Sequence, residues 1–324
     1  MWDFDIGRSL SALLRTLPFV LLRMAIYFGV ALAYILVTGT SAGIGYGIGA
    51  IGDDGFQASA TFWGGAIGFG AVSLILYWVR EYILYIVKAG HIAVLVEVLD
   101  GRDIPGGQGQ IAYATEMVKA RFAETSVLFA LDQLIKGVVR VIAGMINFLA
   151  NILPIPGLQG LASFVNAVIR VAVTYVDEII LAYNLRTRSD NPWESSKDAL
   201  VLYAQNSTTM LKNAVWLAIF MYLIAFLVFL LMIAPAGAIL YLLPGNWSGF
   251  GFVLAVIFAW SFKAALMEPF AIACLMQVYF KTIEGQQPDP VWDARLSDAS
   301  KKFRDMKDKA VAWARGGTQQ PQQG

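Results

Sequence analysis

The sequence predicts an all-α integral membrane protein made of three helical hairpins, with four full spans and one central hairpin that penetrates only half the bilayer. Three observations carry this. First, 58% of the 324 residues are hydrophobic and 15% are charged, against about 25% charged in soluble domains. Second, two apolar hairpins are long enough to cross a bilayer and one is not. Third, the 24 lysines and arginines avoid all three hairpin tips (residues 39–60, 150–160 and 235–249). By the positive-inside rule the termini and hairpin bases are then cytoplasmic and the tips point outward.

Taken in order, residues 4–23 form an amphipathic entry helix, with Arg8, Arg15 and Arg23 among leucines and a bend at Pro18. The first span is Phe19 to Val37. A glycine-rich loop, Gly39 to Gly55, follows. Its glycines alternate rather than following GxGxxG, and no strand precedes them, so a nucleotide loop is excluded. They serve as an exposed loop or as small-residue packing. The second span, Phe62 to Val79, continues in helical pattern to Leu99, roughly 57 Å at 1.5 Å per residue, so it must leave or bend along the membrane. Gly101 to Gly109 turns the chain, and residues 110–124 form a polar amphipathic helix. After the central hairpin, Asn191-Pro192-Trp193-Glu194 starts a surface helix with Asn as cap and Pro at the first position. The last hairpin is Asn213 to Leu243 and Phe250 to Phe280. Asp289-Pro290 starts a final helix, 291–314. Each hairpin is thus followed by a cytoplasmic amphipathic helix. This gives a single membrane domain, 1–315, with repeat units 1–124, 125–208 and 209–315. The tail, 316–324, is Gln/Gly/Pro-rich and expected to be disordered.

The central hairpin is the distinctive element. Its charge-free arms, Val141 to Leu153 and Leu158 to Ile169, are about 12 residues each, or roughly 20 Å as helix, against about 30 Å of hydrocarbon. Pro154 and Pro156-Gly157 turn the chain between them. Asp132, Lys136 and Arg140 share one helix face at spacing four. The return arm offers Asn166, Arg170, Asp177 and Glu178. Ionisable groups at membrane depth are costly, and are paired or functional. One reading is a polar vestibule for an ion or small solute at a subunit interface. The other is a set of mutually paired anchors at the cytoplasmic face.

In the last helix Trp292, Leu296, Ala299, Phe303, Met306, Ala310 and Trp313 form a three-heptad apolar stripe opposite Lys301, Lys302, Arg304, Lys307 and Lys309. Trp292, Leu296, Phe303, Met306 and Trp313 would face anionic lipid headgroups or a second copy of the chain. Nothing points to catalysis. There is one cysteine, Cys274, and one histidine, His91, and there is no Ser/His/Asp arrangement, phosphate loop or metal-spaced carboxylate set. No cofactor, metal or nucleic-acid partner is expected at a net charge of +1. Met1 to Gly7 is acidic and lacks the pattern of a cleavable signal.

The stretch Leu153-Pro154-Ile155-Pro156-Gly157-Leu158, with its apolar arm to Tyr175-Val176-Asp177, resembles the hairpin of the CysZ sulfate permease family, over about 50 of the 324 residues. That family pairs long membrane helices with half-penetrating hairpins. The third repeat and basic C-terminal helix are lacking in CysZ proteins, so a sulfate role does not carry over. Gly68 to Tyr82 and Val176 to Asp190 are similar to choline transporter-like proteins. The overall plan resembles several bacterial membrane families, which implies an inner-membrane location. The expected function is a channel or transporter for a small ion or polar solute. The alternative is a non-catalytic scaffold that organises the bilayer or a partner.

Overall fold

The computed structural model describes residues 2–104, 109–122, 125–152, 174–242 and 248–317. These are helical, with no strand among the described residues. The helices are α1 (Ile6–Arg15), α2 (Leu17–Gly49), α3 (Asp54–Leu99), α4 (Gln110–Phe122), α5 (Thr125–Ile152), α6 (Val176–Thr187), α7 (Pro192–Gln205), α8 (Ser207–Leu242), α9 (Ser248–Phe262), α10 (Glu268–Thr282), α11 (Pro290–Ala299) and α12 (Lys301–Gly317). A π-helical turn, Lys263–Met267, joins α9 to α10. Four segments are long and apolar enough to cross a membrane: Leu17–Gly49, Asp54–Tyr77, Ser207–Ala238 and Ala255–Thr282. The chain is a multi-pass membrane protein by this measure, and the four expected full spans are these four.

The chain divides into two compact units, one of residues 1–17, 89–223 and 269–324, the other of residues 18–88 and 224–268. In the first, a core of large apolar side chains turns inward. Helix α7 starts as its sequence requires: the Asn191 side chain accepts from the Glu194 N–H at 3.2 Å, and Pro192 opens the helix. It is no surface helix, however. Trp193 and the run Ala199 to Ala204 are buried, because α7 packs against α6, α11, α12 and α5. Asn184 of α6 donates to Ser196 of α7 at 2.5 Å, and Tyr279 of α10 donates to the Ala199 carbonyl at 2.9 Å.

The expected single C-terminal helix is two helices. Ser300 adopts extended backbone angles, φ −131° and ψ 112°, and its hydroxyl accepts from the Phe303 N–H at 3.2 Å. It therefore ends α11 and caps α12. The apolar stripe is consumed within the chain. Leu296, Phe303 and Met306 are each 0% exposed, in helices that pack on α7 and α5. Gly137 of α5 makes room for this packing, since a Cβ there would come within 2.7 Å of Lys302 Cγ.

The second unit turns its apolar side chains outward. Leu36, Ile67, Leu74, Ile75 and Leu231 are more than half exposed, and within Asp54–Tyr77 only Gly68 and Val72 are buried. Such a surface suits hydrocarbon, not water. The glycine-rich stretch is helical up to Gly49, not a loop, so the small-residue alternative is the one realised. A Cβ on Gly45 would collide with the Ala60 carbonyl, and one on Gly49 would lie 2.5 Å from Gln57 Cα. Gly64 meets the Ser41 carbonyl in the same way. The two backbones thus approach closely because these positions lack side chains. The bend expected at Pro18 falls at Thr16, between α1 and α2, and Pro18 lies within the first turn of α2, where a missing N–H costs nothing.

Candidate functional site

The first arm of the central hairpin is the second half of α5, a continuous helix of 28 residues. The turn and the return arm up to residue 173, including Asn166 and Arg170, lie outside the described residues. What the structure brings together is the base of that hairpin. Asp132 and Lys136 lie one turn apart on α5, and Asp177 and Glu178 open α6, where the helix N-terminus favours negative charge. The Lys136 ammonium lies 2.8 Å from Asp132 Oδ2 and 3.8 Å from Asp177 Oδ2. Asp132 is 2% exposed and Glu178 6%. Gln133 donates to Asp132 Oδ2 at 3.4 Å. Burial alone would push the Lys136 ammonium down. The Asp132 hydrogen bond and the charges of Asp177 and Glu178 outweigh it and hold the ammonium above its ordinary value. The seam therefore places one ammonium among three acidic side chains. Arg140, one turn further along α5, is exposed.

Of the C-terminal residues, Leu296, Phe303 and Met306 are spent on the interior. Trp292 stacks under the Arg295 guanidinium, whose carbon lies 5.0 Å from the ring centre. Trp313 donates to the Asp190 carbonyl at 2.9 Å, and Asn191 donates to the Ala310 carbonyl at 2.9 Å. Together they latch the end of α12 onto the start of α7.

Two charged clusters escaped the sequence reading. In the first unit Glu97, 1% exposed, accepts from Arg102 Nε at 2.5 Å and from Arg188 at 3.1 Å. Asp100 accepts from Arg186 Nε at 2.9 Å and pairs with Arg102 at 3.0 Å. The guanidinium of Arg8 donates to the Leu99 carbonyl. This is how the C-terminus of α3, with its outward carbonyls, is neutralised. Arg188 sits in the left-handed region, φ 51°, as it closes α6. Burial would raise the Glu97 carboxyl, but the hydrogen bonds from Arg102 and Arg188 prevail and hold it below its usual value. The available signal was a lone glutamate in the apolar run His91 to Leu99, which must be paired if buried.

In the second unit Arg23 is 1% exposed. Its guanidinium donates to the Ala264 carbonyl at 2.8 Å and to Glu268 at 3.0 Å, and Lys88 lies 4.0 Å from the same carboxylate. The π-helical turn explains the first bond. Glu268 N–H donates to the Lys263 carbonyl, so in that register Ala264 would receive from residue 269, a proline with no N–H. Arg23 supplies the missing donor. No signal in the sequence announces the π turn, although Lys263, Glu268 and Pro269 stand out in an otherwise apolar run.

Among the described residues no group of three or more His, Cys, Asp or Glu is placed to hold a metal ion. Comparison of the chain with protein-family models, with curated proteins and with solved structures gives no match, so a functional reading rests on the residues themselves.

Proposed function

We propose that the protein is a channel or transporter for a small ion or polar solute, with its path along the α5–α6 seam. The supporting observation is the alternation Asp132, Lys136, Asp177 across two helices, with Asp132 buried and Lys136 still 37% exposed. A lysine reachable from water, between carboxylates on both arms of the hairpin base, is a group that a passing solute could meet and displace. Its test is flux into vesicles containing the purified protein. Asp132→Asn and Lys136→Met should each lower flux by about tenfold or more, the effect of about 1.4 kcal/mol on a barrier. Wild-type flux in both folded variants overturns the path.

The second reading is a membrane-organising scaffold, favoured by the exposed face of α12. Lys301, Lys302, Arg304 and Lys309 are exposed there over a stripe already buried. Anionic headgroups are the partner that such a face suits. Vesicles that show no flux with wild-type protein, but lose binding of anionic lipid when Lys301, Lys302 and Lys309 become Gln, would favour it. Deleting residues 291–315 would not discriminate, because it also removes Leu296, Phe303 and Met306 from the core.

A further inference from the structure

Helix α1 is too short to cross a membrane, at 10 residues or about 15 Å, and its residues divide into three sectors. At about 100° per residue, Ser9, Ala12 and Leu13 form one sector, and these are buried. Ser9 fixes that side to α10, with Gln277 Nε2 donating to its hydroxyl at 2.6 Å and Cys274 Sγ 3.1 Å away. The adjacent sector holds Ile6, Leu10 and Leu14, which are 39%, 51% and 65% exposed. The third holds Gly7, Arg8, Ser11 and Arg15, also exposed. A leucine row beside, and not opposite, the packed face is not needed for folding. In water it would be a standing cost.

The two ends of α1 say what covers the row. Just before the helix, Asp3 forms an ion pair with Lys212 at 2.6 Å, and its N–H donates to the Asn213 side chain at 2.6 Å. Lys212 is the last charged residue before the apolar body of α8, which has none from 213 to 242. Trp2 packs edge-on against Trp216 and Phe220, with ring centres 5.6 and 5.1 Å apart. Charged residues followed within a turn by tryptophans mark the headgroup level of a span. Just after the helix, Thr16 breaks the backbone and the first span begins at Leu17, itself 46% exposed. One end of α1 is therefore tied to the entry of one span, and the other end is the entry of another. We infer that α1 lies along the membrane surface, with Ile6, Leu10 and Leu14 in the acyl layer and the Arg8–Ser11–Arg15 side toward water.

The test uses the full chain in vesicles of phosphatidylcholine and phosphatidylglycerol. Single cysteines replace Gly7, Leu10, Ser11 or Leu14 in turn and carry a polarity-sensitive fluorophore. Cys274 is buried and remains unlabelled in the folded protein; a parallel set in Cys274→Ala guards against leakage of label. Labels at 10 and 14 should be quenched by nitroxides carried near the headgroup end of the lipid chains and protected from aqueous iodide. Labels at 7 and 11 should show the reverse. Iodide quenching at all four positions overturns the inference, as does shielding of 10 and 14 from both quenchers, which would mean that a protein covers the row. If the fluorophore at 10 or 14 disturbs folding, a smaller nitroxide on the same cysteine gives the same readout, its relaxation enhanced by oxygen in the acyl layer and by a nickel chelate in water.

Discussion

Phe303 and Met306 in one unit are wholly buried, whereas Ile67 and Leu74 in the other are more than two-thirds exposed. The helices carrying them run against their own composition. Helix α12 is rich in lysine and aspartate yet supplies core residues, while the second half of α2 and the first half of α3 are almost charge-free and bury little. The difference matches two ways of packing, although the first unit also holds parts of two of the four candidate spans. Where water surrounds a helix, burying apolar area drives packing. Where hydrocarbon surrounds it, that drive is absent, and contact depends on close backbone approach and on polar groups. Accordingly the first unit packs around large side chains, and the second around Gly45, Gly49, Gly64 and the Arg23–Glu268 bond.

The contrast can be broken by substitution. Phe303→Ala should cost about 3–5 kcal/mol and selectively lower the melting of the first unit, read from tryptophan fluorescence in detergent. A loss under about 1 kcal/mol would mean that α12 is dispensable to that core. Next in size is Glu97→Gln, about 1–3 kcal/mol, with a defined pH dependence. The Glu97 carboxyl is held below its usual range. Its contribution is therefore complete above that range and is lost as pH falls through the lowered value. The wild type should lose stability in acid over that window, and Glu97→Gln should be flatter there. Equal acid profiles would show that the carboxylate is not ionised in the fold. Smallest is Leu74→Ala, within about 0.5 kcal/mol, because two-thirds of the residue is exposed and little of it packs on protein. A cost like that of Phe303→Ala would show that Leu74 is covered.

Much of the fold was legible. Asn191-Pro192 and Asp289-Pro290 start helices where their capping chemistry requires, and the four spans were readable from apolar length. At the site, Asp132 and Lys136 could be paired from spacing four alone. Their meeting with Asp177 needed the α5–α6 packing. The clasp of Glu97 with Arg102 and Arg188 joins positions 91 residues apart in the case of Arg188, beyond any local pattern. Arg140 shares the spacing of Asp132 and Lys136 but remains at the surface, since periodicity places a residue on a face without fixing how far along the helix the neighbours reach.

The sequence by itself determined the membrane class, the helix starts at Pro192 and Pro290 and the number of long apolar segments, because hydropathy, capping and proline chemistry act within a few residues. Only the tertiary structure decided what each face touches. The stripe Leu296, Phe303 and Met306 has the same spacing whether it meets lipid, a second copy or its own α7. The glycines from 39 to 49 read equally as loop or as helix contact. Both were resolved by neighbours distant in the chain, whose packing supplies free energy that no local pattern encodes.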